Sequence, residues 1–384
     1  MNRDILLMTP GPVALDSGIL MAGAQPLRHH RTNDFAPLYA ECVQICKRLF
    51  KTTQHLFLTT SSGTGGMETA IANHFHQGEK IITVETGAFG ERFTEIAKAF
   101  RLEAVPLQYP WGHRAKLEDI DGILQKNPDA KGITVTFNET STGVMNDIAA
   151  IGKLIKEKYP EVLFITDGVS GIGALPFEMD AWHVDVAVSA SQKGFLAPPG
   201  VGIIALSEKA FQKMQSVQCH GYYFDLKIYK KNQDLAIPSY PWTPAISVMF
   251  SFYEALKFIE GKGLEACLNH YRKMAEGLRA SLKGLGLTIF TQPDAISNVL
   301  TVINTPPGIH PAKIVEEIRQ SYNVLIAGGQ GKIADKVFRI TTIGAIGERE
   351  LIGTVGLLEL TLHKLKVIPE LGGGVTAMLK SFAS

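Results

Sequence analysis

The stretch Val162-Leu163-Phe164-Ile165-Thr166-Asp167-Gly168 reads as a strand apolar on both faces, ended by an aspartate and a glycine. A continuous apolar run, rather than an alternating one, marks a strand covered on both sides, as in a parallel sheet. A second run, residues 185–189, leads into Ala190-Ser191-Gln192-Lys193-Gly194 and then Pro198-Pro199-Gly200-Val201-Gly202. An acid and a lysine are thus each delivered to the carboxyl end of a buried strand. In an open α/β sheet that edge is where ligands sit.

Outward from these two runs the same alternation holds. Strand-like segments at 56–60, 80–85, 104–108, 132–137, 162–166, 185–189 and 201–205 are separated by helical patterns, one of them opened by Asp147 as an N-cap. This predicts an α/β fold with a mostly parallel seven-stranded sheet covered by helices. Two helices follow, at 244–260, begun by Thr243-Pro244 and closed by Gly261, and at 264–283, closed by Gly284. A new pattern then begins, with strands at 298–303 and 337–341 and a helix at 312–321. The expected division is an N-terminal arm at 1–15, a large domain at 16–262 and a smaller α+β C-terminal domain at 263–384. Gly372-Gly373-Gly374 reads as a loop before a short terminal helix.

The bulk composition excludes several classes of partner. Over 384 residues the formal net charge is +1, which offers no field for nucleic acid or an acidic membrane surface. No segment approaches the roughly 20 apolar residues of a membrane helix. The first residues meet Pro10 before a signal-peptide core can form, and 4 cysteines suit a reducing compartment, so a cytoplasmic location is expected. Cys42 and Cys46 share a helix face and read as core. The same reading covers His74 and His76, placed at a helix end in a polar loop. No metal site is expected.

A third segment carries chemistry. Thr60-Ser61-Ser62-Gly63-Thr64-Gly65-Gly66-Met67-Glu68 follows the first strand and runs into a helix expected at 67–75. Small residues let the backbone approach an anion, and a helix start supplies free N–H groups to hold a phosphate. The loop has neither the Gly-Lys-Ser/Thr ending of a P-loop nor the third glycine of a dinucleotide fingerprint. With Lys193 and Asp167 it points to pyridoxal phosphate, which takes a lysine for its Schiff base and a carboxylate for its pyridine nitrogen. A helix cap is the plainer reading of Asp167.

These motifs, with Thr9-Pro10-Gly11-Pro12, Glu139-Thr140-Ser141-Thr142-Gly143 and Arg339, resemble the class V pyridoxal-phosphate-dependent aminotransferases, of the alanine–glyoxylate and serine–pyruvate branch. The resemblance spans nearly the whole chain and implies a fold-type I enzyme. It implies that Lys193 carries the cofactor and moves the proton at substrate Cα, and that Asp167 faces the ring nitrogen. Ser62, Gly63 and Thr64 would hold the phosphate, with Gln192 beside it. Phe89 would stack on the ring, where many relatives have Trp or Tyr, and Thr140 would bond the phenolic oxygen. Read alone, Phe89 is a core residue and Thr140 a turn former.

Tyr240 and Thr243, in Ser239-Tyr240-Pro241-Trp242-Thr243-Pro244, match a stretch that reaches a neighbouring subunit's phosphate, which implies a homodimer with shared active sites. Thr243 reads equally as an N-cap. Arg339, mid-strand among apolar residues, needs an anionic partner. The resemblance makes that partner the substrate carboxylate, and a structural ion pair is the alternative. Arg28-His29-His30-Arg31 lies near the family's substrate entrance and is read as a solvated or contact segment.

The implied reaction is a ping-pong transfer from a small amino acid such as alanine or serine to glyoxylate, pyruvate or 2-oxoglutarate. Two alternatives share the scaffold. A desulfurase needs a cysteine in the C-terminal domain, and none follows Cys267. A non-catalytic subunit would have no need of Lys193, Asp167 and Arg339 together.

Overall fold

The computed structural model describes residues 5–384. Its largest sheet contains β1 (His55–Thr59), β2 (Lys80–Glu85), β3 (Glu103–Gln108), β4 (Gly132–Thr136), β5 (Leu163–Asp167), β6 (Val186–Ala190) and β7 (Gly202–Leu206), in the order β1-β7-β6-β5-β4-β2-β3. β7 runs antiparallel to both its neighbours, and the remaining pairs are parallel. Every residue of β4 to β7 is buried, which is why these strands are mostly apolar, with Thr134, Thr136, Thr166, Asp167 and Ser189 the polar exceptions. β3 closes the sheet as a half-exposed edge and tolerates Pro106, because an edge strand has an unused N–H side. The carboxyl ends of β1, β2, β4, β5 and β6 lie along one edge of the sheet, so the turns after them converge there.

A second, antiparallel sheet holds β8 (Leu300–Asn304), β9 (Ala327–Gly328) and β10 (Val337–Thr341), in the order β8-β10-β9. It shares a separate hydrophobic cluster with helices Leu264–Gly284, Pro311–Tyr322 and Glu348–Lys364, through Leu278, Ile314, Phe338 and Leu358. The chain's beginning ties the two regions together. Leu6-Leu7 pairs in parallel with Val324-Leu325, Met8 O accepts from Thr341 N, and Val13 N donates to Gln192 O beside Lys193. Residues 1–4 of the expected arm lie outside the described residues.

Several expected boundaries move. The helix after the glycine-rich loop spans Gly63–His74, so the glycines form its first turn rather than a loop before it. His74 is consequently a fully buried last helical residue, not part of a polar loop, whereas His76 is exposed. The helix expected at 244–260 is Ile246–Lys262, with Ala245 at its N-cap, so Thr243 does not cap it. Gly261 is helical, and Gly263, at φ +85°, makes the break by donating to Ile259 O and Glu260 O. The short terminal helix is present, and of the three glycines Gly372 alone precedes it, as its N-cap residue, while Gly373 and Gly374 form its first turn. Gly373–Ala383 is a helix, and the buried carboxylate of Glu359 accepts the N–H groups of Gly372, Gly374 and Val375.

Cys42 and Cys46 are buried on the helix Ala36–Phe50, and both are free thiols. Among the described residues no helix is long and apolar enough to cross a membrane. No cluster of His, Cys, Asp and Glu there could hold a metal ion.

Candidate active site

β5 carries Asp167 as its last residue, 3% exposed, because Leu163–Thr166 are packed on both faces. Its Oδ1 accepts Val169 N at 2.9 Å, and its second oxygen accepts nothing among the described residues. Burial with so little compensation raises its pKa to about 7, and the neighbouring Glu139 charge adds to the rise. The cap reading therefore accounts for one oxygen only.

Lys193 follows β6 in a turn held by Ser191, whose hydroxyl donates to Pro198 O at 2.6 Å and accepts Val201 N. Burial, then the positive charge of Arg339, lowers the Lys193 pKa to about 8. Its Nζ donates to Pro10 O at 2.6 Å. A Cβ on Gly11 would collide with that same ammonium, so the Pro-Gly-Pro turn must have glycine at its centre. Sequence reasoning gave the turn no such role, although a proline-flanked glycine signals a backbone in close contact with something.

The remaining expected residues gather around this pair. Gly63 and Thr64 open their helix with no side chain capping it, and Ser62 is its exposed N-cap residue. The Gln192 side chain has a buried Oε1 with no hydrogen-bond partner. The Thr140 hydroxyl is buried and shares a 3.2 Å contact with Ser170 Oγ. Phe89 is half-buried in the first turn of the helix Ala88–Ala99, with the Arg92 guanidinium 4.6 Å from its ring centre. Arg92 also donates to Thr64 Oγ1 at 3.2 Å, joining the phosphate-type loop to the aromatic ring. Nothing in the sequence singles it out beyond its place one helical turn after Phe89.

Arg339, on β10, is 5% exposed. It donates to Gly328 O at 2.8 Å, Thr140 O at 2.9 Å and Gln330 Oε1 at 3.4 Å, and no carboxylate pairs with it among the described residues. Burial lowers its pKa to about 10, with Glu139 acting in the opposite direction. The structural ion pair that could have explained it is absent from the described residues.

The two segment-swapping residues separate. Thr243 is exposed and free to meet another chain. Tyr240 is 1% exposed, its hydroxyl contacts Met249 Sδ, and its ring packs on Tyr39 and Tyr229. Within this chain the Tyr240 hydroxyl thus faces the core, whereas Thr243 is open to solvent.

Comparison with known proteins identifies the family. The family model "Aminotransferase class-V" matches residues 22–339. The chain belongs to the class V aminotransferases. An uncharacterized aminotransferase of Methanocaldococcus jannaschii is 37% identical, over 94% of this chain and 93% of its own. A serine–glyoxylate aminotransferase of Methylorubrum extorquens is 34% identical, over 97% and 94%. The crystal structure of a ureidoglycine–glyoxylate aminotransferase from Bacillus subtilis superposes with a TM-score of 0.95 at 25% identity, over 100% and 99%. The aminotransferase thus has the fold-type I architecture, and its family is pyridoxal-phosphate-dependent. The residues present fit that cofactor: an unmet buried carboxylate oxygen, an uncapped helix start and a partly neutral buried lysine.

Proposed function

We propose that this aminotransferase binds pyridoxal 5'-phosphate on Lys193 and moves the amino group of a small amino acid, alanine or serine, to glyoxylate, pyruvate or 2-oxoglutarate. The observation that carries the reading is the buried pair at the sheet edge, Asp167 with a pKa of about 7 and Lys193 with one of about 8. The cofactor, when bound, supplies an electron sink for the substrate Cα–H bond. Lys193, poised near neutrality, can hold or release a proton at that carbon, and Pro10 O orients its amine. Asp167 keeps the ring nitrogen protonated. Ser62, Gly63, Thr64 and Gln192 hold the phosphate, Phe89 covers the ring and Thr140 bonds its oxygen substituent. Arg339 takes the substrate carboxylate, since its fork is buried among neutral oxygens alone.

The glyoxylate-using relatives favour glyoxylate as acceptor. The exposed Thr243 is compatible with a homodimer with shared sites, and the absence of a membrane-spanning helix among the described residues is compatible with a cytoplasmic enzyme. The reading divides the chain into an N-terminal arm at 1–15, a large cofactor-binding domain at 16–262 and a small C-terminal domain at 263–384. Borohydride reduction of the yellow protein, followed by peptide mapping, tests the site. Label on Lys193 is expected, and label on another lysine refutes the assignment. Single-turnover half-reactions with each amino acid, followed by the cofactor spectrum, then identify the donor.

A further inference from the structure

We propose that Glu139 is a positioning residue of this site: its buried carboxylate sets the Phe89 ring through the first turn of the helix Ala88–Ala99, and sets Arg339 through the Thr140 peptide. The proposal rests on the site assignment above and goes beyond it, since no cofactor or substrate contact is given to Glu139.

The first turn of a helix leaves backbone N–H groups without intrahelical partners. Here Gly87, the N-cap residue, offers no side chain, and the turn 139–141 supplies the acceptors from across the edge. Ser141 Oγ accepts Ala88 N at 3.0 Å, and Glu139 Oε2 accepts Phe89 N at 3.0 Å and Gly90 N at 3.1 Å. Glu139 Oε1 accepts Ser141 N and the Ser141 hydroxyl. Each contact the carboxylate makes is with a group that can donate. Burial pushes the Glu139 pKa up, and these donors, the Ser141 hydroxyl first, act in the opposite direction; the residue is 0% exposed and has no cationic partner among the described residues. The approach is tight: a Cβ on Gly87 would collide with both Ser141 and Glu139.

The next peptide completes the link. The carbonyl of Thr140 accepts Arg339 Nη1 at 2.9 Å, and the Glu139 charge helps keep that guanidinium protonated in its buried setting. One turn, 139–141, thus couples the aromatic that covers the cofactor to the arginine that receives the carboxylate.

The test uses the holoenzyme of Glu139→Gln, a near-isostere whose amide must point a donor at N–H groups. Three signals are read: the induced circular dichroism of the cofactor band, the rate of cofactor release, and KM against kcat for a carboxylated donor. Loss of a charged hydrogen bond corresponds to about 10- to 100-fold faster release. The dichroism should fall and KM should rise. Combined with Phe89→Leu, the release rate should match that of Phe89→Leu alone, because both changes remove one arrangement. Multiplicative losses in the double variant, or a lowered melting temperature with unchanged release and dichroism, would show a purely structural cap. Should Glu139→Gln not fold, Ser141→Ala removes the Ala88 cap and the hydroxyl donor to the carboxylate, leaving the residue-141 N–H in place. It should then give the same pattern at about 3- to 10-fold, and wild-type release and dichroism in it overturn the proposal. Borohydride mapping of the wild type separates the two readings. Label away from Lys193 refutes the site itself, whereas label on Lys193 with independent losses refutes only the role of Glu139.

Discussion

Two helices of this aminotransferase start on glycines and take their N-terminal cap from a glutamate buried in another segment. Glu359, on the helix Glu348–Lys364, holds the start of Gly373–Ala383, and Glu139 holds the start of Ala88–Ala99. Both are almost fully buried, at 2% and 0% exposure, so burial of an acid does not by itself mark a functional site. The surroundings differ. Glu359 meets three backbone donors in a helical layer where Gly284 and Gly373 let two helices touch. Glu139 sits beside Lys193, Asp167 and Arg339, each buried with some of its capacity for charge or hydrogen bonds unmet by the protein. Unmet capacity is what distinguishes a site from a well-made core.

The sharpest way to break this contrast is Lys193→Ala. Transamination and the cofactor absorbance band should disappear, because Lys193 supplies the amine that would carry the cofactor. The melting temperature should hold or rise, since a buried amine with a single carbonyl acceptor is removed. Unfolding of this variant would put Lys193 in the same class as Glu359.

Asp167→Asn comes next, with a rate expected to fall on the order of 10²-fold or more, as an amide cannot hold the ring nitrogen's proton. The carboxyl also leaves a signature in stability. Its pKa is raised to about 7 in the folded chain, so its contribution is complete below about pH 4 and lost as pH rises through 7. Cofactor-free Asp167→Asn should therefore melt higher than cofactor-free wild type at pH 8. Equal melting and near-normal single turnover would reduce Asp167 to a cap.

Arg339→Lys keeps the charge and loses the fork, at a cost of about 2–5 kcal/mol of binding. KM for carboxylated donors should rise by one to several orders of magnitude on that scale, while an amine lacking the carboxylate is indifferent. Equal losses for both amines would make Arg339 a structural residue.

What the sequence disclosed follows the same contrast. All seven strands of the large sheet lie within one residue of the apolar runs that announce them, because a strand buried on both faces has no freedom to be polar. Lys193, Asp167 and Arg339 stand out since a charge beside such a run demands a reason. The helix starts at Gly63 and Gly373 are concealed, because glycine opposes helix formation and the compensation comes from elsewhere: close packing for one, Glu359 for the other. Tyr240 looks like a surface residue in its own segment, and only Tyr39 and Tyr229, distant in the chain, enclose it. Glu139 stands in a quoted motif, yet its partners at 88–90 are about 50 positions away.

Glu359→Gln tests the other arm of the comparison. Three backbone N–H groups, that of Gly374 buried, lose a carboxylate acceptor, which costs about 1–3 kcal/mol of stability. Cofactor release and turnover per folded molecule should stay at wild-type values. A change in the cofactor band would mean that the C-terminal helix start communicates with the site and that the two caps are alike after all.

The smallest expected effect concerns a buried polar group outside both regions. His74, fully buried at the end of the helix Gly63–His74, donates from Nδ1 to Ala70 O at 2.7 Å, and its Nε2 meets no hydrogen-bond partner. The charges that act on it are Asp185 and Lys213, neither of them in the site described above, so it should affect folding and not catalysis. Burial lowers its pKa from 6.5 to about 4. A depressed folded-state value means that the unfolded chain binds the proton first. The contribution of His74 is therefore complete above about pH 6.5 and declines as pH falls toward 4, at roughly 1.4 kcal/mol per unit in mid-range and about 1 kcal/mol in all by pH 6. Denaturant titrations of wild type and His74→Gln at pH 7.5, 6 and 5 should diverge by that slope, with the variant flatter. Parallel curves would show that the site is already charged or wet in the folded chain, and a changed turnover rate in His74→Gln would show that an unmet buried atom can act on this active site from a distance.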